Sequence, residues 1–196
     1  MFDTINHSLL VGKLSSQFGF SNLSATLIDS YLRGRSQIMK VGSYRSPIAY
    51  INKGAPQGSM LGPLLFNLMV DDMLINHPQT YSYSDDTLTY SFSKSQSEAL
   101  DRVKQQFLSL NNWYQENGLS RCIAKTKCLI ISNSDIDFET AFTVDGYNIP
   151  IQRSIVQFGM TIDYRLSFAD HVNQVVKNVV ACYTHCVRYA TFVNYN

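Results

Sequence analysis

The sequence predicts an α+β fold in which helices flank an antiparallel sheet. Two observations predict this class. Apolar residues at helical spacing are separated along the chain by pairs of strand-like runs joined by short turns. These strand pairs do not alternate singly with helices, as a parallel βαβ fold requires. A chain of 196 residues with 45% hydrophobic content is also long enough to bury a sizeable core.

The first third of the chain predicts two helices and a hairpin. The first helix ends at Gly19, and its apolar residues recur near helical spacing at Leu9, Leu10, Leu14 and Phe18. The second helix begins at a Ser21 or Ser24 cap and ends at Gly34, with an apolar side made of Leu23, Leu27, Ile28, Tyr31 and Leu32. Residues 37–41 and 44–52 are predicted strands around a turn at 42–43, and Pro47 indicates a sheet edge.

The middle of the chain predicts a helix, a hairpin and another helix. Residues 59–76 are strongly apolar, and Pro63 lies in the first turns, where its missing N–H costs least. Residues 81–92 alternate as a hairpin. Ser95 and Glu98 form a capping box that opens the next helix, and Gly118 lies beyond its end. The predicted buried stripe of this helix is Leu100, Val103, Phe107, Leu110 and Trp113.

The last third predicts short strands and a final helix. Residues 128–132 form a short strand, and Asp145–Gly146 is the favoured pair for a hairpin turn. Residues 154–162 read as one strand. The segment 167–170 caps a last helix that runs toward Arg188.

Basic residues are concentrated in the first part of the chain although the net charge is only +1. No acidic residue occurs from Ser30 to Lys53, which carries five Lys and Arg residues. This stretch is either a footprint for nucleic-acid phosphates or an ordinary basic hairpin. The weak overall charge argues against tight binding of nucleic acid by this chain alone.

Asp85 and Asp86 are adjacent carboxylates at the predicted turn of the third hairpin. Neighbouring strand residues point to opposite faces, so only a turn brings both to one rim. Two anions there repel unless a cation neutralises them, and Mg²⁺ prefers such hard oxygen ligands. The alternative is a solvated Asp-Asp turn.

Five blocks of residues occur in a characteristic order along the chain. The second and third are the most specific, Gly54-Ala55-Pro56-Gln57-Gly58-Ser59 and Tyr83-Ser84-Asp85-Asp86. The others are residues 1–7, residues 112–127 and Phe158-Gly159-Met160-Thr161-Ile162-Asp163. Together these blocks resemble the palm of reverse transcriptases from non-LTR (LINE-type) retrotransposons. The resemblance implies a polymerase palm over residues 1–165 and the beginning of a helical thumb over 166–196. It also implies RNA-directed DNA polymerase activity on an RNA template, a DNA primer and dNTPs.

The resemblance also implies roles for individual residues. Asp85 and Asp86 match two of the three aspartates that hold two Mg²⁺ ions for nucleotidyl transfer, the third being the leading aspartate of the first motif, and Lys125 matches a lysine that protonates the leaving pyrophosphate. Phe2 matches a ring under the incoming sugar, while Gln57 and Gly58 match contacts to nucleotide and template. Each of these roles has an alternative. Phe2 would be a core phenylalanine, the glycine loop a plain turn and Lys125 a surface lysine.

Two departures from the family pattern favour a second hypothesis. The chain begins after the position of the leading first-motif aspartate, and Asp3 matches a later position of that motif. The fourth motif is degenerate, with Arg121 and Cys122 at positions usually held by leucine and asparagine. The alternative is a catalytically inactive relic, at most a weak nucleic-acid- or protein-binding module. On this interpretation residues 1–196, which also lack the fingers, bind metal weakly and extend no primer.

Other polar clusters are interpreted as structural. Asp71 and Asp72 are expected on different sides of a helix and in solvent, because adjacent helical residues diverge. The spacing of the cysteines and the nearby histidine fits no standard zinc pattern, so buried thiols are expected. These residues are Cys122, Cys128, Cys182, His185 and Cys186. No apolar run has transmembrane length and no signal peptide is present, which predicts an intracellular protein of the nucleus or cytoplasm without membrane partners. Non-specific self-association is also expected.

Overall fold

The computed structural model describes residues 2–56, 58–138 and 141–192, with side chains described over 3–56, 58–138 and 141–183. Within these residues the chain is a mixed α+β fold, which confirms the predicted class. It forms two compact units, Met1–Cys122 and Ile123–Asn196. The division into a palm over 1–165 and a thumb segment over 166–196 remains a prediction.

The first unit contains four helices and six short strands among its described residues. A 3-10 turn, Phe2–Thr4, precedes α1 (His7–Ser16) and α2 (Asn22–Leu32). The strands β1 (Arg35–Gln37), β2 (Lys40–Val41), β3 (Tyr44–Arg45) and β4 (Ala49–Ile51) follow. The unit then runs through α3 (Leu61–Asn76), β5 (Thr80–Tyr83), β6 (Asp86–Thr89) and α4 (Gln96–Glu116).

The second unit is mostly strands followed by one long helix. It begins with a 3-10 turn, Ile123–Lys125, and β7 (Cys128–Leu129). Two hairpins follow, β8 (Ala141–Val144) with β9 (Tyr147–Gln152) and β10 (Ser154–Gln157) with β11 (Met160–Asp163). The last helix is α5 (Ala169–Phe192). No helix within the described ranges has both the length and the apolar character needed to cross a membrane.

Strand pairing over the described residues is antiparallel with one exception. Four two-stranded sheets pair β1 with β4, β2 with β3, β5 with β6, and β10 with β11. The remaining sheet has the order β7–β9–β8, and β7 runs parallel to β9. The antiparallel prediction is wrong for this pair, because β7 pairs with β9 and not with the next strand, β8, which runs antiparallel to β9.

The core of the first unit is packed from α1, α3 and α4. Its fully buried side chains include Leu10 and Leu14 of α1 and Phe66 and Met69 of α3, and Trp113 of α4 packs beside them. The same cluster takes in Ile5, Leu32, Ala55, Leu65, Val70, Met73, Leu110, Tyr114 and Leu119. This arrangement confirms Leu10 and Leu14 of the predicted α1 stripe and Leu110 and Trp113 of the predicted α4 stripe. Leu9 is exposed, and Leu100 and Val103 are half-buried, so the prediction is wrong for Leu9 and only partly right for the other two.

The predicted apolar side of α2 is partly wrong. Leu23 is 83% exposed and Leu27 is 67% exposed, whereas Ala25 and Leu32 are buried. Residues 25 and 32 lie seven apart, almost two full turns, so they share one stripe on the helix. Leu23 and Leu27 lie outside that stripe.

Turn residues explain where the strands begin and end. Asp145 and Gly146 both have positive φ, 49° and 75°, which confirms the predicted hairpin turn. The single strand predicted over 154–162 is wrong, because Phe158 and Gly159 also have positive φ, 51° and 79°, and fold it into the β10–β11 hairpin. Gly159 was the available signal for this turn, since glycine tolerates the left-handed region.

Candidate active site

The tip of the β5–β6 hairpin presents the adjacent carboxylates. Tyr83 pairs with Asp86, so Ser84 and Asp85 form a two-residue loop between the strands. Ser84 lies in the left-handed region with φ of 55°, a strained conformation for a residue with a side chain. Both Asp85 and Asp86 are exposed. The predicted placement of this pair at a hairpin tip is therefore confirmed.

The inner face of the hairpin is held by α4. Thr87 shares a hydrogen bond of 2.9 Å with the Tyr114 hydroxyl, and Thr89 donates one of 3.0 Å to Gln106. Burial raises the pKa of Tyr114, and the Thr87 hydrogen bond and nearby Arg121 offset part of this rise. The Tyr114 hydroxyl therefore stays neutral at physiological pH and anchors the strand that carries Asp86.

The two carboxylates are available for a ligand. Over the described part of the chain, neither the Asp85 nor the Asp86 carboxylate makes a hydrogen bond or an ion pair within the protein. In the same residues no three His, Cys, Asp or Glu side chains come together as a metal-holding group. Two carboxylates suit one Mg²⁺ that keeps its remaining positions for water and substrate phosphates. A second ion would need a further ligand.

The glycine loop is fixed against the N-terminal segment. A Cβ placed on Gly54 would lie 2.7 Å from the Asp3 Cα, and the Gly54 N–H donates to the Ile5 carbonyl at 2.8 Å. His7 Nε2 and the Arg35 guanidinium both donate to the Gly54 carbonyl at 2.9 Å. Asp3 lies in the 3-10 turn Phe2–Thr4.

His7 and Arg35 are positioning residues that sequence reasoning missed. His7 is buried, whereas the sequence places it only within the first motif block, and it places Arg35 only within the basic stretch. No local pattern indicated that both would converge on one carbonyl oxygen, because the partner is distant in sequence. The structure thus brings together Asp3, Gly54 and these two side chains.

Other predicted binding residues are placed less fully. Gly58 is exposed with φ of 74° and has open space around its Cα. Gln57 and the side chain of Phe2 lie outside the described residues. Lys125 is exposed at the end of its 3-10 turn in the second unit.

Arg121 departs from the family pattern but has a packing role. Its guanidinium lies 4.0 Å from the centre of the Phe107 ring and donates to the Asn111 side chain. A stacked guanidinium covers apolar surface much as a leucine does. Cys122, the second residue of the fourth motif that differs from the family pattern, is exposed.

Two structural predictions need correction. Asp72 is not simply solvated, since Lys13 Nζ donates to its two carboxylate oxygens at 2.7 and 2.8 Å. Cys122 and Cys182 are exposed, so the prediction of buried thiols is wrong for them, while burial raises the pKa of Cys128. The side chains of His185 and Cys186 lie outside the described residues.

Comparison with a family profile identifies the protein family of this chain. The profile described as reverse transcriptase (RNA-dependent DNA polymerase) matches residues 1–178. The chain belongs to the reverse transcriptase family. Reverse transcriptases as a family use divalent metal ions and bind a nucleic-acid template and primer. The matched range includes the β5–β6 hairpin and both carboxylates at its tip.

Curated relatives of this reverse transcriptase chain come from mobile elements of the non-LTR type. It is 28% identical over 159 residues to the RNA-directed DNA polymerase from mobile element jockey of Drosophila melanogaster, covering 76% of this chain and 17% of that protein. The jockey polymerase of Drosophila funebris is 25% identical over 183 residues, covering 89% of this chain and 20% of that protein. A probable RNA-directed DNA polymerase from transposon X-element of Drosophila melanogaster is 24% identical over 157 residues, covering 76% and 17%. The chain spans about a fifth of the length of these relatives.

Proposed function

We propose that this chain carries the palm of an RNA-directed DNA polymerase of a non-LTR retrotransposon, with a helical thumb beginning near residue 166. One observation carries the proposal. Two adjacent carboxylates, Asp85 and Asp86, stand exposed and without a partner among the described residues at a hairpin tip inside the matched family range. Leaving two anions together at a tip costs free energy through repulsion, which a bound cation removes.

The carboxylate oxygens of Asp85 and Asp86 would hold Mg²⁺. When bound in the two-ion arrangement, Mg²⁺ activates a primer hydroxyl and stabilises charge on the transferred phosphate. The protein's contribution is to fix the carboxylates, which it does through the Thr87–Tyr114 hydrogen bond and the two-residue loop. Of the two, Asp85 would be the more direct ligand of the metal ion, because it lies in the loop itself.

The remaining residues would act on the substrates. Gln57 and Gly58 would contact nucleotide and template, and the exposed Cα of Gly58 allows a close backbone approach. Phe2 would lie beneath the incoming sugar. The exposed Lys125 ammonium would donate a proton to leaving pyrophosphate. RNA template, DNA primer and dNTPs are the corresponding partners, in a nuclear or cytoplasmic setting.

A second candidate function is that of a catalytically inactive relic that binds nucleic acid or protein weakly. One observation favours it. No third acidic, histidine or cysteine side chain joins Asp85 and Asp86 over the described residues, whereas two-metal transfer needs ligands for both ions. A site with two carboxylates would hold its second ion poorly.

Metal binding tests the role of the carboxylates. In an EPR titration with Mn²⁺, the chain should bind the ion, and Asp85→Asn or Asp86→Asn should remove this binding. Asp101→Asn is the matched control, since Asp101 is an exposed carboxylate on α4. Equal Mn²⁺ binding by wild type and Asp85→Asn would contradict the proposed role of the hairpin tip.

Primer extension separates the two candidates. With a primed RNA template, dNTPs and Mg²⁺, we expect no incorporation by the 196-residue chain, because only two carboxylates meet at the described tip. This result together with Mn²⁺ binding at Asp85 would favour the inactive module for this chain. Incorporation that Asp85→Asn abolishes would instead establish polymerase activity and require a further ligand.

A further inference from the structure

Some cations of the basic stretch 30–53 are bound to other groups of the protein, and others are not. Arg33 is paired with Asp29 at 2.6 Å and donates to the Ser8 hydroxyl at 3.0 Å. Arg35 is bound to the carbonyls of Leu32 and Gly54. These two arginines therefore stabilise the first unit and are not available to an external anion.

Lys40 and Arg45 are the cations of the hairpin tip formed by β2 and β3. They are direct partners in the antiparallel register, so their side chains project from the same face. Both are exposed, and neither has a hydrogen bond or ion pair in the described part of the chain. The other register pair, Val41 and Tyr44, occupies the opposite face.

Two like charges directly opposite on a strand pair destabilise it unless an anion lies between them. Their Cβ atoms are about 5 Å apart in such a pair, so both side chains can reach the same anion or two neighbouring ones. A guanidinium and an ammonium are the groups that bind phosphate best. A nucleic-acid strand carries a phosphate about every 3.4 Å along its axis, which matches a pair of neighbouring cations.

We propose that the Lys40–Arg45 face of the β2–β3 hairpin binds the phosphate backbone of nucleic acid. The proposed contact is independent of base sequence, because phosphate groups carry no sequence information. The inference deepens the proposed function and rests on it, since it assumes a chain that handles a template or a primer. It requires no metal at Asp85 and Asp86, so binding is measured separately from catalysis.

The test measures binding by fluorescence anisotropy in Mg²⁺-free buffer across a series of KCl concentrations. The probes are a labelled 20-nucleotide RNA and the same RNA in an RNA–DNA duplex. Removing two phosphate contacts with Lys40→Ala/Arg45→Ala should lower the slope of log K against log salt by about 1.4 for the single strand or 1.8 for the duplex. At 0.1 M salt this corresponds to about 25-fold weaker binding of the single strand or about 60-fold weaker binding of the duplex, and a loss confined to one probe identifies the strand form that the hairpin contacts.

Two further variants keep the result specific. Lys94→Ala/Lys104→Ala removes two exposed cations elsewhere in the first unit and should leave the slope unchanged. The exchange Lys40→Arg/Arg45→Lys preserves the charge and should bind like wild type. Lys40→Ala/Arg45→Ala should also melt no lower than wild type, because it removes a repulsion.

Three outcomes overturn the inference. They are an unchanged salt slope in Lys40→Ala/Arg45→Ala, an equal loss in the Lys94 and Lys104 control, and no nucleic-acid binding by wild type. The proposed function is judged separately by Mn²⁺ binding at Asp85 and Asp86. Loss of metal binding with intact nucleic-acid binding would therefore count against that proposal and not against the hairpin contact.

Discussion

Lys13 is the residue that links α1 to α3. Its ammonium donates to Asp72 and to the Met69 carbonyl at 2.9 Å, and it lies 5.0 Å from the centre of the Trp113 ring. Only 11% of the Lys13 side chain and 22% of the Asp72 side chain are exposed. Partly buried charges in such a setting depend on each other, because either one alone would be left desolvated.

Removing one partner of this ion pair should destabilise the first unit. Asp72→Asn is expected to lower the free energy of unfolding by about 2 kcal/mol, because the Lys13 charge keeps its burial and loses its counter-ion. Urea unfolding followed by circular dichroism measures the change. Asp71→Asn is the neighbouring control and should change stability by less than about 0.5 kcal/mol. Equal effects of the two variants would show that the pair contributes nothing specific.

Gly54 is required by its contact with Asp3 and not merely by a turn. Gly54→Ala should destabilise the chain by more than about 2 kcal/mol, because the new Cβ lies 2.7 Å from backbone and φ is 84°. Gly58→Ala shares the positive φ, 74°, but meets open space, so its cost should stay near about 1 kcal/mol. Thermal melts of the two variants test this, and a cost for Gly58→Ala equal to that for Gly54→Ala would contradict the contact.

At the scale of elements, Asp163 organises the start of α5. Its carboxylate accepts the backbone N–H groups of Arg165, Ser167 and Phe168, and also the Ser167 hydroxyl. Desolvation opposes ionisation of Asp163, but these hydrogen bonds outweigh it and lower its pKa. Ser167 itself caps Ala169, as the sequence predicted for this segment.

The lowered pKa of Asp163 predicts how the stability of the second unit depends on pH. Stability from this cap is fully present above the unfolded pKa of about 3.9 and is lost as pH falls through the lower folded value. Asp163→Asn should therefore reduce the urea midpoint at pH 6, and its difference from wild type should shrink below pH 4. Asp135→Asn, at another exposed carboxylate, should show no such pH-dependent difference. A constant difference for Asp163→Asn across this range would refute the cap.

At the scale of the whole molecule, several apolar side chains are exposed on the basic hairpin and on α5. On the basic hairpin these are Ile38, Val41 and Ile48, at 48%, 68% and 56% exposed, whereas Ile51 is half-buried. On α5 they are Val175, Val176 and Val179, at 44%, 54% and 61% exposed. Exposed apolar patches of this kind promote association.

Self-association of the purified chain is therefore expected and should depend on α5. Sedimentation velocity at micromolar concentration should show species larger than a monomer, and Val175→Lys/Val179→Lys should reduce them. Leu23→Lys is the control, because Leu23 is 83% exposed but belongs to α2. Monomeric sedimentation by wild type, with a sharp reversible melt, would show that these exposed side chains do not drive association.

The sequence alone determined the α+β class, the helices of the first unit and the hairpin that carries Asp85 and Asp86. These features depend on local patterns, namely the spacing of apolar residues, the Ser95 cap and turn residues such as Asp145 and Gly146. The sequence also showed the order of the motifs that contain Gly58 and Asp85, and the family profile confirms that the chain is related to reverse transcriptases. Boundaries were less accurate, as at Phe158, because a single glycine signals a turn only weakly.

Only the tertiary structure decided which distant side chains meet. The approach of Asp3 to Gly54, the Lys13–Asp72 pair and the stacking of Arg121 on Phe107 each join residues whose local sequence gives no sign of the other. It also separated the engaged Arg33 and Arg35 from the free Lys40 and Arg45 within one basic stretch. The physical reason is that chain folding brings partners together across long separations, and a charge becomes structural or available according to what it then contacts.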